Sequence, residues 1–378
     1  MIPRILFTAV VTVALPAMDA TATADALIAG GERWLMSRQQ ADGALVGVPR
    51  FRIGITALAL EALAAPPRLA ARGDEVHTRA AAFLIAHRQP DGGIYDPAEG
   101  YGVYGTGLGL LALAAVDIRD PALIRAGQDY LFGLQNRDPM SPAWGGIGYE
   151  ADDPPGSEDL HNTAAAVLGL RATGVPAEDP RMQAALRFAM LCQDLSHPAA
   201  PVAGQPPVPA RRPLANSGGG IPRPGWISPA AGSGPGGEDE PVRDPAAYGS
   251  MTYTLLTTYL ALGLDPSDHR VAAARDWIAR TYTVETNPGL PPANARDGLF
   301  YARATLAKAA AESGGIPAPD GGERPWAEDV IRVLAAEAQG DGDRRWWSNP
   351  ARRWGEGLPD LATAYAVRAL KRARAALR

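Results

Sequence analysis

His87-Arg-Gln-Pro-Asp-Gly-Gly-Ile-Tyr95, followed after a short loop by Tyr101-Gly-Val-Tyr-Gly-Thr-Gly-Leu-Gly-Leu-Leu-Ala-Leu-Ala-Ala115, is the stretch whose reading decides the fold. A helical segment runs into Gln89, a Gln-x-Asp-Gly-Gly turn reverses the backbone, and a helix of small apolar residues begins a few positions later. The glycine can take positive φ, the aspartate can accept bonds from nearby amides, and the glutamine amide can bond the adjacent turn. Together they stop one helix and release the chain into the next.

Variants of this unit recur along the chain. Trp34-Leu-Met-Ser-Arg-Gln-Gln-Ala-Asp-Gly43 precedes Ile53-Gly-Ile-Thr-Ala-Leu-Ala-Leu-Glu-Ala-Leu63, and Tyr130-Leu-Phe-Gly-Leu-Gln135 leads through Trp144-Gly-Gly-Ile-Gly148 to Asp159-Leu-His-Asn-Thr163 and its apolar continuation. A fourth copy runs from Phe188 to Tyr253, a degenerate fifth from Trp277 to Tyr301, and a sixth from Ala335 through Trp346-Trp347 to Tyr365. With the glutamines as markers the spacings are 89 − 40 = 49, 135 − 89 = 46 and 193 − 135 = 58, those of a helical hairpin with variable loops. A second register supports the first. Thr56, Thr106, Thr163 and Thr363 each lie seven residues before an apolar leucine, Thr252 fits in part, and unit five has Arg303 there.

The first helix of each pair is amphipathic, as in Arg270-Val-Ala-Ala-Ala-Arg-Asp-Trp-Ile-Ala-Arg280. The second helices carry almost no charge and are rich in Ala and Gly, so they are buried and approach their neighbours closely. Six outer and six inner helices alternating along the chain give an all-α fold, an (α/α)6 toroid; an open solenoid is the rival arrangement.

A net charge of −5 without a basic cluster argues against nucleic acid as a partner. The single cysteine, Cys192, excludes an intramolecular disulfide and a multi-cysteine metal site, and neither a cofactor nor a metal is expected. Met1-Ile-Pro-Arg4, the apolar run Ile5–Leu15 and the small-x-small sites Ala20-Thr-Ala22 or Ala22-Thr-Ala24 read as an export signal over residues 1–24, too short to span a bilayer. The repeat domain then covers 25–378, and the protein is expected to be periplasmic or extracellular, with no integral membrane segment after cleavage. Residues 194–245, with twelve prolines and nine glycines, form an insertion in unit four over one mouth of the ring, and a loop of this length is either functional, as a lid, or disordered.

If the ring closes, the inner helices run parallel and their N-termini surround one opening, where dipoles and unpaired amides collect. Asp159 at the start of the third inner helix reads as an N-cap and also as a catalytic carboxylate. His161, on the first turn, is placed to act as a general acid or base. The other residues at these helix starts, candidates for ligand contact, are Tyr101, Tyr104, Asn162, Tyr248, Tyr253, Tyr301, Arg303 and Tyr365. A further cluster supplies Trp347, Trp354, Glu356 and Asp360. Tryptophans there anchor the turn or stack on an apolar or sugar ligand, and Asp360 also reads as a cap.

Aromatic-Leu-x(3)-Gln-x-Asp-Gly-Gly repeats, Trp144-Gly-Gly-Ile-Gly148 and Leu358-Pro-Asp-Leu-Ala-Thr-Ala-Tyr-Ala366 resemble the prenyltransferase and squalene-oxidase repeats of squalene-hopene cyclase-like proteins, from about residue 25 to 375. The resemblance implies an α/α barrel around an aromatic-lined apolar cavity. Class II cyclases of that family protonate an isoprenoid alkene with an Asp-x-Asp-Asp acid, of which Glu150-Ala-Asp-Asp153 is only a partial echo. The zinc site of protein prenyltransferases needs Asp, Cys and His together, and Cys192 falls on an outer helix. The Gly-Cys-Gly-Glu-Gln of complement-like thioester domains is absent.

The expected role is therefore binding of a hydrophobic, isoprenoid or glycan ligand in the central cavity, or of a protein partner on the ring. The alternative is a terpene cyclase-like isomerase or a carbohydrate-active enzyme. In the first, Asp159 or His161 would be the acid–base group; the second would need Glu356 and Asp360 as paired carboxylates.

Overall fold

The computed structural model describes residues 19–68, 73–150, 157–196, 215–224 and 247–377. Twelve α-helices alternate between two layers among these residues. The outer helices are α1 (Ala20–Ser37), α3 (Gly73–Ala86), α5 (Pro121–Gly133), α7 (Pro180–Leu191), α9 (His269–Thr281) and α11 (Trp326–Glu337). The inner ones are α2 (Arg52–Ala64), α4 (Gly102–Ala115), α6 (Leu160–Ala172), α8 (Gly249–Ala261), α10 (Leu299–Ser313) and α12 (Pro359–Ala376). Each inner helix packs on the next, and α12 packs on both α10 and α2, so the ring closes. The fold is the expected (α/α)6 toroid.

Small residues set the spacing of the inner layer. A side chain on Gly107 of α4 would run into the Ala165 carbonyl of α6, and one on Gly169 would meet the Gly107 carbonyl, so these backbones are in near contact. Four of the six outer helices start on aspartates. Asp19, Asp120, Asp179 and Asp268 each accept a bond from a first-turn amide, with proline following Asp120 and Asp179.

The threonine register has a physical cause. The hydroxyls of Thr56, Thr106, Thr163, Thr252 and Thr363 accept the backbone N–H of Leu45, Ile94, Ile147, Gly220 and Trp347 at 2.8–3.1 Å. Each ties a turn to the inner helix that follows it. Unit five differs: Arg303 donates from Nε to the Val284 carbonyl at 2.8 Å and pairs with Glu337 of α11 at 2.5 Å.

The glutamine spacing requires a correction by one residue. Gln39, Gln135 and Gln193 occupy one position: each amide donates to a turn carbonyl and to a carbonyl of the next outer helix, as Gln135 does to Gly145 and Arg181. Arg88 holds that place in unit two, where it bridges Ile94 as Gln39 bridges Leu45. Gln40 and Gln89 sit one residue later, with Asn136 and Asp194. The turn glycine at positions such as 92 and 145 has φ near +90° and lies against a carbonyl of the next outer helix, which leaves no room for a side chain.

Unit six ends in a hairpin, β1 (Gln339–Asp341) with β2 (Arg344–Trp346), paired Gln339 to Trp346 and resting on α1. Within the insertion, residues 215–224 supply the unit-four turn, with Gly220 bridging Gln193. The expected lid over the rest of 194–245 lies mostly outside the described residues, as do residues 1–18 and Asp152-Asp153. Asp19 caps α1, and Ala24 is fully buried, so a cut at either expected export site would fall inside the first helix. No helix among the described residues is long and apolar enough to cross a membrane.

Candidate functional site

All six inner helices begin at one face, and loops from the following unit satisfy several of the exposed amides there. Glu99 accepts from Phe51 N–H at 2.9 Å, Glu150 from Tyr101 N–H at 3.0 Å, Asn287 from Ser250 N–H at 2.9 Å, and Glu356 from Phe300 and Tyr301 N–H at 3.1 and 2.7 Å. Carboxylates are favoured at this end by the convergent dipoles. Asp159 caps its own helix, accepting Asn162 N–H at 2.7 Å and the Asn162 amide at 3.1 Å, and it is also bonded to the Tyr149 phenol.

One turn in, four rings meet across the axis. Tyr104 of α4 stacks on His161 of α6 with centroids 5.0 Å apart, and His161 faces Tyr301 of α10 at 4.9 Å. Tyr301 contacts Tyr365 of α12 at 5.5 Å, and the Tyr365 and Tyr104 hydroxyls close the cycle at 3.1 Å. The Tyr301 hydroxyl also meets Thr254 of α8 at 2.7 Å. Tyr104, His161 and Tyr301 keep part of their surface accessible, so space remains beside them. Burial lowers the His161 pKa, with the Asp159 charge opposing, and keeps the imidazole neutral near pH 7. No described residue hydrogen-bonds its ring nitrogens. Burial raises the Tyr301 and Tyr365 phenols, so both stay protonated donors.

The expected site residues divide three ways. Tyr104, His161, Tyr301 and Tyr365 form the cluster, with Asp159, Asn162 and Tyr248 beside it; the charges of Tyr301 and Asp159 both act on Tyr248. Tyr101 and Trp354 stand on the rim, 42% and 51% exposed, both with φ near +55 to +60°. Positive φ in a bulky residue is strained. Tyr101 also meets Phe51 and Tyr149 edge to face.

The remaining five are turned into the scaffold. Trp347 is fully buried and donates from its indole to the Leu334 carbonyl. Arg303 is consumed by Glu337, and Tyr253 is buried toward Tyr282. Glu356 is a cap, its carboxyl raised by burial against the bonds from Tyr301 N–H and Asn349. Asp360 accepts from Arg38 at 2.9 Å and Gly47 N–H at 3.2 Å. Glu356 and Asp360 are therefore bound to the scaffold rather than free as a catalytic pair.

Sequence reasoning missed the charges inside the ring. Glu61 of α2 and Arg368 of α12 lie 2.5 Å apart, with Arg372 at 3.7 Å from Glu61. The available signal was a glutamate, Glu61, late in the apolar run Ala57–Ala64 of α2. The interior is thus aromatic at one level and charged at the next, where a uniformly greasy well was expected. Among the described residues, no group of three or more His, Cys, Asp or Glu is placed to hold a metal ion.

No protein-family model matches the chain, and no curated protein matches it. Solved structures do. A variant of the type II terpene cyclase MstE from Scytonema, in complex with merosterolic acid A as product, superposes with a TM-score of 0.57 at 16% identity over 94% of this chain and 98% of that one. A protein from Actinoplanes gives 0.57 at 14% identity over 94% and 99%. The GH76A α-1,6-mannanase from Salegentibacter gives 0.56 at 14% identity over 95% and 100%. At these identities the likeness establishes a shared toroid fold and nothing finer.

Proposed function

We propose that the protein binds an apolar, isoprenoid-type ligand at the mouth where the inner helices begin, against the rings of Tyr104, His161 and Tyr301. The observation that carries this reading is the contrast at that level. Tyr104, His161 and Tyr301 keep part of their ring surface accessible and no described residue bonds the His161 nitrogens, while Asp159, Glu356 and Asp360 are committed to scaffold hydrogen bonds. Ring faces suit apolar carbon and, in an enzyme, carbocationic character. The terpene cyclase among the structural neighbours is described with a geranylgeranyl substrate, which supports the ligand class by analogy alone. Should the site be catalytic, neutral His161 is its acid–base group.

A second reading, a glycan ligand, is favoured by the exposed rim rings of Tyr101 and Trp354, with Arg353 over Trp354 at 5.2 Å. Titration calorimetry with farnesol and with α-1,6-mannotriose separates the two. Farnesol binding that weakens in Tyr301→Ala supports the first reading. Mannotriose binding lost in Trp354→Ala, with no farnesol heat, replaces it by the second. Export to the periplasm or beyond is inferred from the pattern of residues 1–24, and sequencing the mature N-terminus tests it.

A further inference from the structure

Toward the C-terminal ends of the inner helices, below the aromatic layer, three cations gather around one enclosed carboxylate. Arg368 Nε lies 2.5 Å and an Arg372 terminal nitrogen 3.7 Å from Glu61, and Lys308 of α10 pairs with Glu312 one turn further on. All three charges act on Glu61 and hold its carboxyl below the usual range, although burial alone would raise it most strongly. Glu312, the partner of Lys308, is 40% exposed and stands toward solvent.

Two ordinary explanations for this excess fail. A helix C-terminus attracts cations only within its last turn. Arg368 lies 376 − 368 = 8 residues before the end of α12, and Lys308 lies 313 − 308 = 5 before the end of α10. Internal hydrogen bonding absorbs only part of the donors: Lys308 donates to Glu312 and Arg372 to the Arg368 carbonyl at 3.2 Å. The Arg368 guanidinium carries five N–H groups, its one ion pair is through Nε, and no described residue accepts a hydrogen bond from its terminal nitrogens. The side chains of Arg368, Lys308 and Arg372 nevertheless keep 10%, 15% and 24% of their surface, so a solvent-sized group reaches them.

We propose that this interior holds a compact anion, a carboxylate or phosphate group, gripped by Lys308, Arg368 and Arg372. The anion balances the excess positive charge and takes the Arg368 donors that no described residue accepts in charge-assisted hydrogen bonds. It lies beyond the aromatic layer from the mouth, since Arg368 is one helical turn past Tyr365, and it does not depend on the mouth binding an apolar ligand.

The test is thermal melting in phosphate-free buffer at constant ionic strength, adding inorganic phosphate, dodecyl phosphate or chloride to the wild type and to the Lys308→Met and Arg372→Met variants. Either phosphate raises the wild-type Tm above chloride at millimolar concentration, and each variant weakens the apparent affinity about tenfold or more. A preference for dodecyl phosphate identifies the anion as the head of an amphiphile; equal effects identify a free anion. Removing one of several like charges leaves the fold intact, and melting in chloride checks this for each variant. No phosphate effect beyond chloride, or equal effects in wild type and both variants, overturns the proposal.

Discussion

His161 and Tyr301 belong to helices that are not neighbours in the ring, yet their rings approach to 4.9 Å across its axis. With α8 between their helices, this contact bridges two inner helices that do not pack on each other and places both rings in the interior of the ring.

The depressed His161 pKa makes stability pH-dependent with a defined sign. The unfolded chain gains a proton below its ordinary pKa near 6.5 while the folded imidazole resists, so stability present above that value is lost as pH falls toward the folded pKa. The loss is bounded at about 1.4 kcal/mol per pH unit. His161→Phe, which keeps a ring at the same place, should flatten the decline in denaturation midpoint between neutral and mildly acid pH. The similarly depressed His77 leaves a residual slope.

Replacing Thr106 or Thr163 by valine leaves a buried amide, of Ile94 or Ile147, without its acceptor. Each change should cost about 1–3 kcal/mol in urea unfolding. Equivalent losses at the two sites are expected because they are one motif repeated.

Arg303→Met removes a buried cation from Glu337 and the Val284 carbonyl. Arg296 remains on Glu337 at 2.9 Å, so the loss should fall near the lower end of the range for a broken buried pair, about 3 kcal/mol. Calorimetric melting measures it, and farnesol binding at the mouth should be unchanged.

Gly145→Ala and Gly133→Ala should move in opposite directions. At 145, with φ +87°, a methyl meets the Ala184 carbonyl, and strain plus overpacking should cost about 3 kcal/mol. Gly133 ends α5 with nothing within 4 Å of such a methyl, so alanine there should stabilise by about 0.5–1 kcal/mol. Paired urea melts check both.

The ring was legible because its signals are local and repeated: a turn glycine, a threonine that bonds the turn, and inner helices rich in small apolar residues. The glutamine register slipped by one because Gln39-Gln40 offers two candidates and Arg88 replaces the structural glutamine in unit two, an ambiguity only hydrogen-bond partners resolve. In the site, His161 and three tyrosines were found by their place at helix starts. Glu356, Asp360, Arg303 and Trp347 share that sequence neighbourhood, but their side chains leave it to cap, pair or fill. The charge cluster was not legible because Glu61, Lys308 and Arg368 are far apart in sequence and become neighbours only when α2, α10 and α12 stand side by side.

Occupation of the mouth is tested most directly by histidine-selective NMR, since the chain has five histidines and one is in the aromatic cluster. On titration with farnesol, the imidazole signal that disappears in His161→Phe should shift and saturate with the calorimetric affinity. Saturated farnesol binding that leaves this signal in place, or no binding at all, would contradict the account.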